Sequence, residues 1–327
     1  MNKWLKRTLI AGAAAAAAGA VLLGAGMALG GSPSFYYDAD GLHVKENTKE
    51  PARKDYVLES TRTGKLSELE VELKDADLEI VSGTDWSVEY SLDGGRTEPF
   101  YSLENGVLTL REGDYADRGE VQVSFGFGDG WMRQTEETAR SPYVKITIPE
   151  NAALSRVELQ NRYGKISVAK SLRADIVGID GNGGDIRLDG WTGEKLTVET
   201  GDGNLAAGTL KGEDVSITGE YASLSIDSLN AELAVLETEY GNLTAGVDGG
   251  TVEAYSSDGE VDLKLDGSLE DFGVSLHTEY GTIRIPQGAV EPDEEEESTD
   301  FVRLGRGQDA AAVTVETEYG DIRIREK

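Results

Sequence analysis

The chain has 327 residues, of which 31 are Lys or Arg and 61 are Asp or Glu, so its formal net charge is −30. It contains no Cys, which excludes disulfide bridges, thiolate metal ligands and a cysteine nucleophile. Nucleic acid is not an expected partner, because phosphate binding needs clustered Lys and Arg. The hydrophobic content of 39% is ordinary for a folded protein.

The first 31 residues have the pattern of a membrane segment. Three basic residues and no acid precede an uncharged run of 23 residues at 9–31. Such a run can cross a hydrocarbon core at about 1.5 Å per residue. We therefore expect 1–31 to be a transmembrane helix with its N-terminus in the cytoplasm and the bulk of the chain outside. The alternative is a cleaved signal segment, which would make the protein secreted.

The residues after this segment are strongly acidic. Without the three positive charges of the first 31 residues, the rest of the chain carries −33. Residues 32–60 show no sustained period and contain two prolines. We interpret them as a juxtamembrane tether with at most one short strand.

From residue 61 onward the sequence repeats about every 19 residues. The tetrapeptide TEYG occurs at 238–241, 278–281 and 317–320, and its last residue has an equivalent in eight repeats. We call this position the turn residue. The eight turn residues are Gly164, Gly184, Gly203, Ala222, Gly241, Gly259, Gly281 and Gly320.

Apolar residues recur at fixed distances from every turn residue. They stand two and four residues after it and five and seven residues before it in all eight repeats, whereas the residue directly after it is never apolar. Alternation with period two predicts a strand with one buried face. Each repeat is therefore predicted to hold two strands joined by a tight turn.

One such repeat cannot bury its own apolar face, but stacked repeats can share a core. We predict an all-β fold in which residues 61–327 form a parallel β-solenoid of Gly-turn coils. A third inward corner is suggested by five apolar residues that lie six to eight positions past the turn. They are Leu172, Trp191, Leu210, Leu229 and Val247.

Three irregularities interrupt the repeats. SELEVELKDADLEI, at 67–80, predicts an earlier coil around Ala76. Residues 81–153 form an irregular β insert with strand-like stretches such as WSVEYSL, GVLTL, EVQVSFGF and YVKITIP, predicted as an antiparallel cap on the open end. Residues 289–300 are predicted as a solvated acidic loop.

This order of segments resembles a known family. LSELEVELKDADLEIVSG, an insert ending in VKITIP, and repeats such as VELQNRYGKISV and LETEYGNLTAGV are similar to the bacterial putative-adhesin β-strand-repeat family, a domain of unknown function. The resemblance covers about residues 61–327, and the acidic insertion at 289–300 departs from it. It implies an extracytoplasmic β-solenoid in the cell envelope but no catalytic or binding residues.

The tyrosines before the turn residue are the candidate binding residues. Tyr221, Tyr240, Tyr280 and Tyr319 stand at this position, as does Tyr163. Equivalent residues of neighbouring coils lie about 4.8 Å apart, so Tyr221 and Tyr240 are predicted to stack. Such a strip would contact sugar rings or a partner protein. The alternative is a purely structural role in covering the corner of the core.

No other pattern points to chemistry. His43 and His277 have no partner at metal-ligand or triad spacing. GNGGD at 181–185 and GDGN at 201–204 resemble calcium turns but lack the regular spacing, which favours ordinary turns. We predict no cofactor and no metal.

Carboxylates at equivalent repeat positions raise an enzymatic alternative, because glycoside cleavage needs two carboxylates a few ångströms apart. Asp185 and Asp321 share one position, and a second position holds four glutamates. The four are Glu220, Glu239, Glu279 and Glu318. A solvated acidic face is the favoured interpretation, so no enzyme is predicted.

The sequence thus predicts a membrane-tethered, non-enzymatic module for adhesion, interaction or scaffolding in the cell envelope. Its expected partners are the membrane, through the N-terminal span, and an envelope protein or glycan. The alternative is an envelope-stress sensor or regulator that works through a membrane signalling partner.

Overall fold

The structure, a computed structural model, describes more than two-thirds of the chain, in ten stretches and four single residues. The stretches are 34–38, 41–44, 56–92, 97–113, 121–124, 142–267, 272–286, 288–290, 300–304 and 312–327, and the single residues are Gly19, Leu22, Gly26 and Leu269. The predicted membrane or signal segment lies outside them apart from Gly19, Leu22 and Gly26. Within the described residues, no helix is long and apolar enough to span a membrane.

The described residues form strands and almost no helix, which confirms the all-β prediction. The first twelve strands are β1 (Ser34–Asp38), β2 (Gly41–Val44), β3 (Tyr56–Arg62), β4 (Glu68–Leu73), β5 (Asp77–Gly83), β6 (Ser87–Leu92), β7 (Phe100–Glu104), β8 (Val107–Arg111), β9 (Val121–Ser124), β10 (Tyr143–Pro149), β11 (Leu154–Asn161) and β12 (Ile166–Gly181). They are followed by β13 (Ile186–Thr192), β14 (Lys195–Thr200), β15 (Leu205–Gly219), β16 (Leu224–Thr238), β17 (Leu243–Ser256), β18 (Val261–Leu265), β19 (Gly273–Thr278), β20 (Ile283–Ile285), β21 (Gly288–Val290), β22 (Asp300–Leu304), β23 (Ala312–Thr317) and β24 (Ile322–Glu326).

The chain divides into two compact units. Met1–Lys54 and Asp114–Arg140 make up the first, in which β1 pairs antiparallel with both β2 and β9. The prediction of at most one short strand in 32–60 is therefore wrong, since β1 and β2 both lie there and β3 begins there. Asp55–Gly113 and Ser141–Lys327 make up the second unit, which contains the repeats.

Neighbouring repeats of the second unit pair in parallel and in register. β15 pairs with β16 from Leu205↔Leu224 to Gly219↔Thr238, so each residue lies beside its equivalent in the next repeat. The neighbouring strand pairs, β14 with β15 and β16 with β17, follow the same rule. Register of this kind places equivalent residues side by side. The alternation in the sequence therefore becomes continuous columns of side chains across the sheet.

The core consists of the apolar columns that the sequence predicts. All four predicted apolar positions are buried in every repeat except at Ile285, which is partly buried. The five predicted corner residues are also buried and stand in register from Leu172↔Trp191 to Leu229↔Val247. Trp191 additionally donates its indole N–H to the Ala174 carbonyl oxygen at 3.0 Å.

The prediction of an antiparallel insert is only partly right, because the insert also contains parallel pairs. β8 pairs parallel with β4, and β10 pairs parallel with β5, so the insert first adds one more parallel layer. Leu108 and Leu110 of β8 stand beside Leu69 and Val71 and are fully buried, which is the same alternation as in the repeats. The antiparallel strands lie beyond this layer, where β6 pairs with β10, β3 with β6, and β7 with β8.

The repeats do not stack in chain order at the other end. β23 pairs parallel with β17 on one side and with β19 on the other, and β24 lies in the same way between β18 and β20. The repeat at 312–326 is therefore inserted between two repeats that precede it. β21 and β22 pair antiparallel with β20 and β19, and most of the predicted acidic loop, 291–299, lies outside the described residues.

Removing residues 312–327 should therefore open the stack from within. We expect faster amide hydrogen exchange both in 243–265 and in 273–285, because both repeats lose a hydrogen-bonded neighbour. Mass spectrometry after exchange measures this, with 205–236 as the internal reference. Protection that persists in 243–265 would contradict the inserted position of this repeat.

The turn glycines are required by close approach between stacked turns. None of the seven has a positive φ, so conformational freedom is not the reason for glycine. A Cβ built on any of them would lie less than 3.0 Å from the carbonyl oxygen of the turn residue in the adjacent repeat. In space the turn residues follow the order 76, 164, 184, 203, 222, 241, 259, 320 and 281, and Ala222 carries a Cβ of its own.

Substituting Gly241 by Ala should destabilise the protein by about 2–3 kcal/mol, because the new methyl group collides with the Ala222 carbonyl and the backbone must shift. Urea unfolding measures the loss. Gly178→Ala is the matched control, since its Cβ meets only the flexible Glu158 carboxylate. Equal losses in the two variants would contradict the close-approach explanation.

Candidate functional site

The turns stack along one edge of the second unit through a ladder of backbone hydrogen bonds. Tyr240 N–H donates to Glu220 C=O at 3.0 Å, and Asp258 N–H to Glu239 C=O at 3.0 Å. Tyr319 N–H then donates to Ser257 C=O, and Tyr280 N–H to Glu318 C=O, both at 2.8 Å. We call the residues just before the turn residues the turn edge. In spatial order they are Tyr163, Gly183, Asp202, Tyr221, Tyr240, Asp258, Tyr319 and Tyr280.

The four predicted tyrosines form two stacked pairs. Tyr221 and Tyr240 have ring centroids 4.9 Å apart and planes 7° apart. Tyr280 and Tyr319 are also 4.9 Å apart, with planes at 11°. All four rings are about half exposed. The predicted stacking of Tyr221 on Tyr240 is present, whereas the contact between Tyr280 and Tyr319 follows from the inserted repeat. Ligand binding by these residues stays a prediction.

Asp258 separates the two pairs. It is exposed, and it stands in the ladder between Tyr240 and Tyr319. The pKa of Tyr240 is raised, first by its hydrogen bond to Glu239 and then by the negative charges around it, including Asp258. The pKa of Tyr319 is raised for the same reasons, beginning with its hydrogen bond to Glu318. Both phenols therefore remain neutral hydroxyl groups at physiological pH.

The first residue of the tetrapeptide has a structural role that the sequence reasoning missed. Thr238 is buried, donates its hydroxyl to the Ala222 carbonyl oxygen at 2.8 Å and accepts the Gly241 N–H at 3.2 Å. Ser256 and Thr278 accept the turn amide of their own repeats in the same way. The signal was present in the sequence, as Thr, Ser or Asn fills this position in six of the eight repeats.

The residue after the turn residue also belongs to the structure. Asp185 Oδ1 accepts the Asn204 backbone N–H at 3.1 Å, and Asn204 Oδ1 in turn accepts the Ser223 N–H at 3.0 Å. Asp321 Oδ1 accepts the Thr282 N–H at 2.9 Å, and its second oxygen pairs with Arg284 at 2.7 Å. Asp185 and Asp321, which raised the enzymatic alternative, thus bind the backbone of the adjacent repeat.

Replacing Thr238 by Val should cost about 1–3 kcal/mol of stability, because a buried carbonyl and a buried amide lose their shared partner without a change in shape. Thermal or urea unfolding measures the cost. Thr244→Val, on the exposed face of β17, is the matched control and should be nearly neutral. A neutral Thr238→Val would show that the hydroxyl does not hold the turn.

An acidic groove runs beside the turn edge, along the outward face of the strands that lead into the turns. Its lining includes Asp180, Glu199, Glu237 and Glu316, which occupy one column, together with turn glutamates such as Glu239. Within the described residues none of these five carboxylates makes an ion pair. His277 lies in the same column and is half-buried.

Two other residues considered as candidates in the sequence, Tyr163 and His43, do not belong to the tyrosine pairs. Tyr163 is exposed, lies over Gly183 and has the Arg162 guanidinium 5.9 Å from its ring centroid. His43 lies in β2, and its side chain is outside the described part. Among the described residues, no group of three or more metal-ligating side chains comes together.

The fold and its edge define a class of protein, an all-β repeat protein whose turns present an ordered row of exposed side chains. The chain belongs to the Toastrack DUF4097 family, whose model matches residues 66–325. This confirms the resemblance seen in the sequence. Comparison with curated proteins gave no match.

Solved structures with distant similarity come from several bacteria. A putative adhesin from Bacteroides fragilis is 12% identical over 86% of this chain and all of its own, with a TM-score of 0.43. One from Parabacteroides distasonis is 14% identical over 84% of this chain and 98% of its own, with a TM-score of 0.40. A putative cell adhesion protein from Clostridium sporogenes is 11% identical over 84% and 100%, with a TM-score of 0.22. At these values, no binding site carries over.

Proposed function

We propose that the protein is a membrane-tethered, extracytoplasmic β-solenoid that serves as a non-enzymatic module for adhesion, interaction or scaffolding in the cell envelope. The two tyrosine pairs of the turn edge are its contact surface, and an envelope protein or glycan is its partner. The observation that carries the proposal is that the turn edge presents two stacked pairs of exposed tyrosines.

The division of roles within the turn supports a contact function for the tyrosines. Gly241 is fixed by close approach, Thr238 by its hydrogen bonds and Asn242 by its bond to the Glu260 N–H. Tyr240 donates its backbone N–H to the stack, while its ring contacts Tyr221 on one face and is 49% exposed. Exposed aromatic side chains held on rigid backbone are favourable anchors, because little conformational entropy is lost on binding.

The charge pattern of the N-terminal segment supports export. Three basic residues precede the uncharged run at 9–31, and the rest of the chain carries −33. Basic residues before a span favour retention of that end in the cytoplasm. The acidic remainder then lies outside, where the turn edge meets other envelope components.

The proposal against enzymatic activity is supported by the use of the candidate carboxylates. Asp185 and Asp321 accept backbone amides of adjacent repeats. A carboxylate that holds the stack in this way is poorly placed to act as an acid, a base or a nucleophile on a substrate.

The contact role predicts that paired tyrosine substitutions weaken binding without unfolding the protein. The test compares the wild type with Tyr221→Ala/Tyr240→Ala and Tyr280→Ala/Tyr319→Ala. Beads coated with the full chain are assayed against intact bacterial cells and a glycan array. We expect at least a tenfold loss of bead binding, with a melting temperature within a few degrees of the wild type.

Tyr163→Ala is the control, because this tyrosine occupies the same turn position and no other described aromatic ring stacks on it. Its binding should stay close to that of the wild type. If the double variants bind as well as the wild type does, the tyrosine pairs are not the contact surface. If they melt far below it, the tyrosines are structural.

A further inference from the structure

The turn edge contains a slot between two aromatic walls. Tyr240 and Tyr319 flank Asp258, and adjacent turns are spaced by about 4.8 Å, so the two tyrosine positions are two spacings, about 9.6 Å, apart. Tyr221 covers one face of the Tyr240 ring, and Tyr280 covers one face of the Tyr319 ring. The uncovered faces therefore look into the slot from both sides.

The slot has a carboxylate at its base. Asp258 is much shorter than tyrosine, so its side chain ends well below the rings that flank it. It is exposed and makes no ion pair with a described residue. A group seated midway between the rings would lie about 4.8 Å from each, which is within the 6 Å reach of a cation–π interaction. Two ring faces and a carboxylate are the environment that an organic cation prefers.

The chain itself supplies a cation to a tyrosine at another turn. Arg162 precedes Tyr163 and places its guanidinium 5.9 Å from that ring. The equivalent residue in the slot is Ser257, which carries no charge. A basic residue of the chain itself thus contacts the Tyr163 ring. No described basic residue contacts the slot.

Among the described residues, the charges on the two sides of the slot are arranged differently. On the opposite side of the turn, Asp262 pairs with Arg325 at 2.8 Å and Asp321 with Arg284 at 2.7 Å. In the groove beside the slot, Glu237 and Glu316 have no such partner among the described residues. The fold therefore leaves negative charge uncompensated next to the slot.

We propose that the slot formed by Tyr240, Asp258 and Tyr319 binds a guanidinium or alkylammonium group, and that this group is a side chain of a basic polypeptide segment of the partner. The proposal rests on the proposed function in using the same edge and narrows its partner to a cationic one. The slot takes one side chain, and the groove lined by Glu237, Glu316 and their neighbours takes further positive charges of the same segment. A groove that extends over several repeats fits a chain of charges better than a single small cation.

The binding of octaarginine to the full-length protein in non-ionic detergent, followed by calorimetry, tests this proposal. Asp258→Asn should weaken binding at least tenfold, and Tyr240→Leu or Tyr319→Leu should each weaken it about threefold, as expected for a cation–π contact at an exposed site. Asp202→Asn is the matched control. It removes the same charge at the same turn position but has Tyr221 on one side and Gly183 on the other, so it should change binding no more than twofold.

Asp258→Tyr provides an independent test, because it fills the slot and makes the aromatic row continuous. Its melting temperature should not fall, and its affinity for octaarginine should drop as in Asp258→Asn. If Asp202→Asn and Asp258→Asn lose the same affinity for octaarginine, the loss comes from net charge alone and the proposal is overturned. Binding of tetramethylammonium as tight as that of octaarginine would overturn the assignment to a polypeptide.

The two proposals fail in different ways. If the tyrosine double variants lose binding to cells while Asp258→Asn binds octaarginine as the wild type does, the interaction module stands and the cation slot is wrong. If octaarginine binding depends on Asp258 while the double variants still bind cells, the slot stands and the contact surface for cells lies elsewhere.

Discussion

The close approach of stacked turns is the constraint on which the rest of the structure depends. In seven of the eight repeats a carbonyl oxygen of one turn occupies the space in which the next turn would place a Cβ, so glycine stands at the turn residue there, and Ala222 is the exception. Polar backbone atoms brought together in this way need partners. Thr238, Ser256 and Thr278 provide them from inside the stack. What is left to vary is the side chain just before the glycine.

This constraint also gives the edge its functional character. The backbone ladder holds successive side chains at the fixed spacing of the sheet, so aromatic and acidic residues are positioned before any partner arrives. Stacking in pairs covers one face of each tyrosine ring. The second face of Tyr240 and of Tyr319 is uncovered because the shorter Asp258 stands between them. Asp258 is therefore as important to the shape of the edge as the tyrosines are.

The sequence predicts the strands of the repeats well, because burial of one face imposes a period of two that is visible in every repeat. It predicts their spatial order less well. The repeats around Gly281 and Gly320 carry the same pattern, and local alternation contains no information on which of them neighbours Gly259. β8 was missed as a parallel layer because one short alternating stretch does not specify the direction of its partner. β1 and β2 are short strands without a periodic signal.

The inserted repeat has a consequence for the order in which the protein can be assembled. Residues 273–285 are synthesised before 312–326, yet their permanent neighbour in the sheet is β23 with β24. Growth of the stack in step with synthesis is thus possible only as far as β18. Until the later segment arrives, the exposed edges of β17 and β19 are open to each other or to foreign strands. Closure of this end joins strands that are far apart in sequence, which is intrinsically slow.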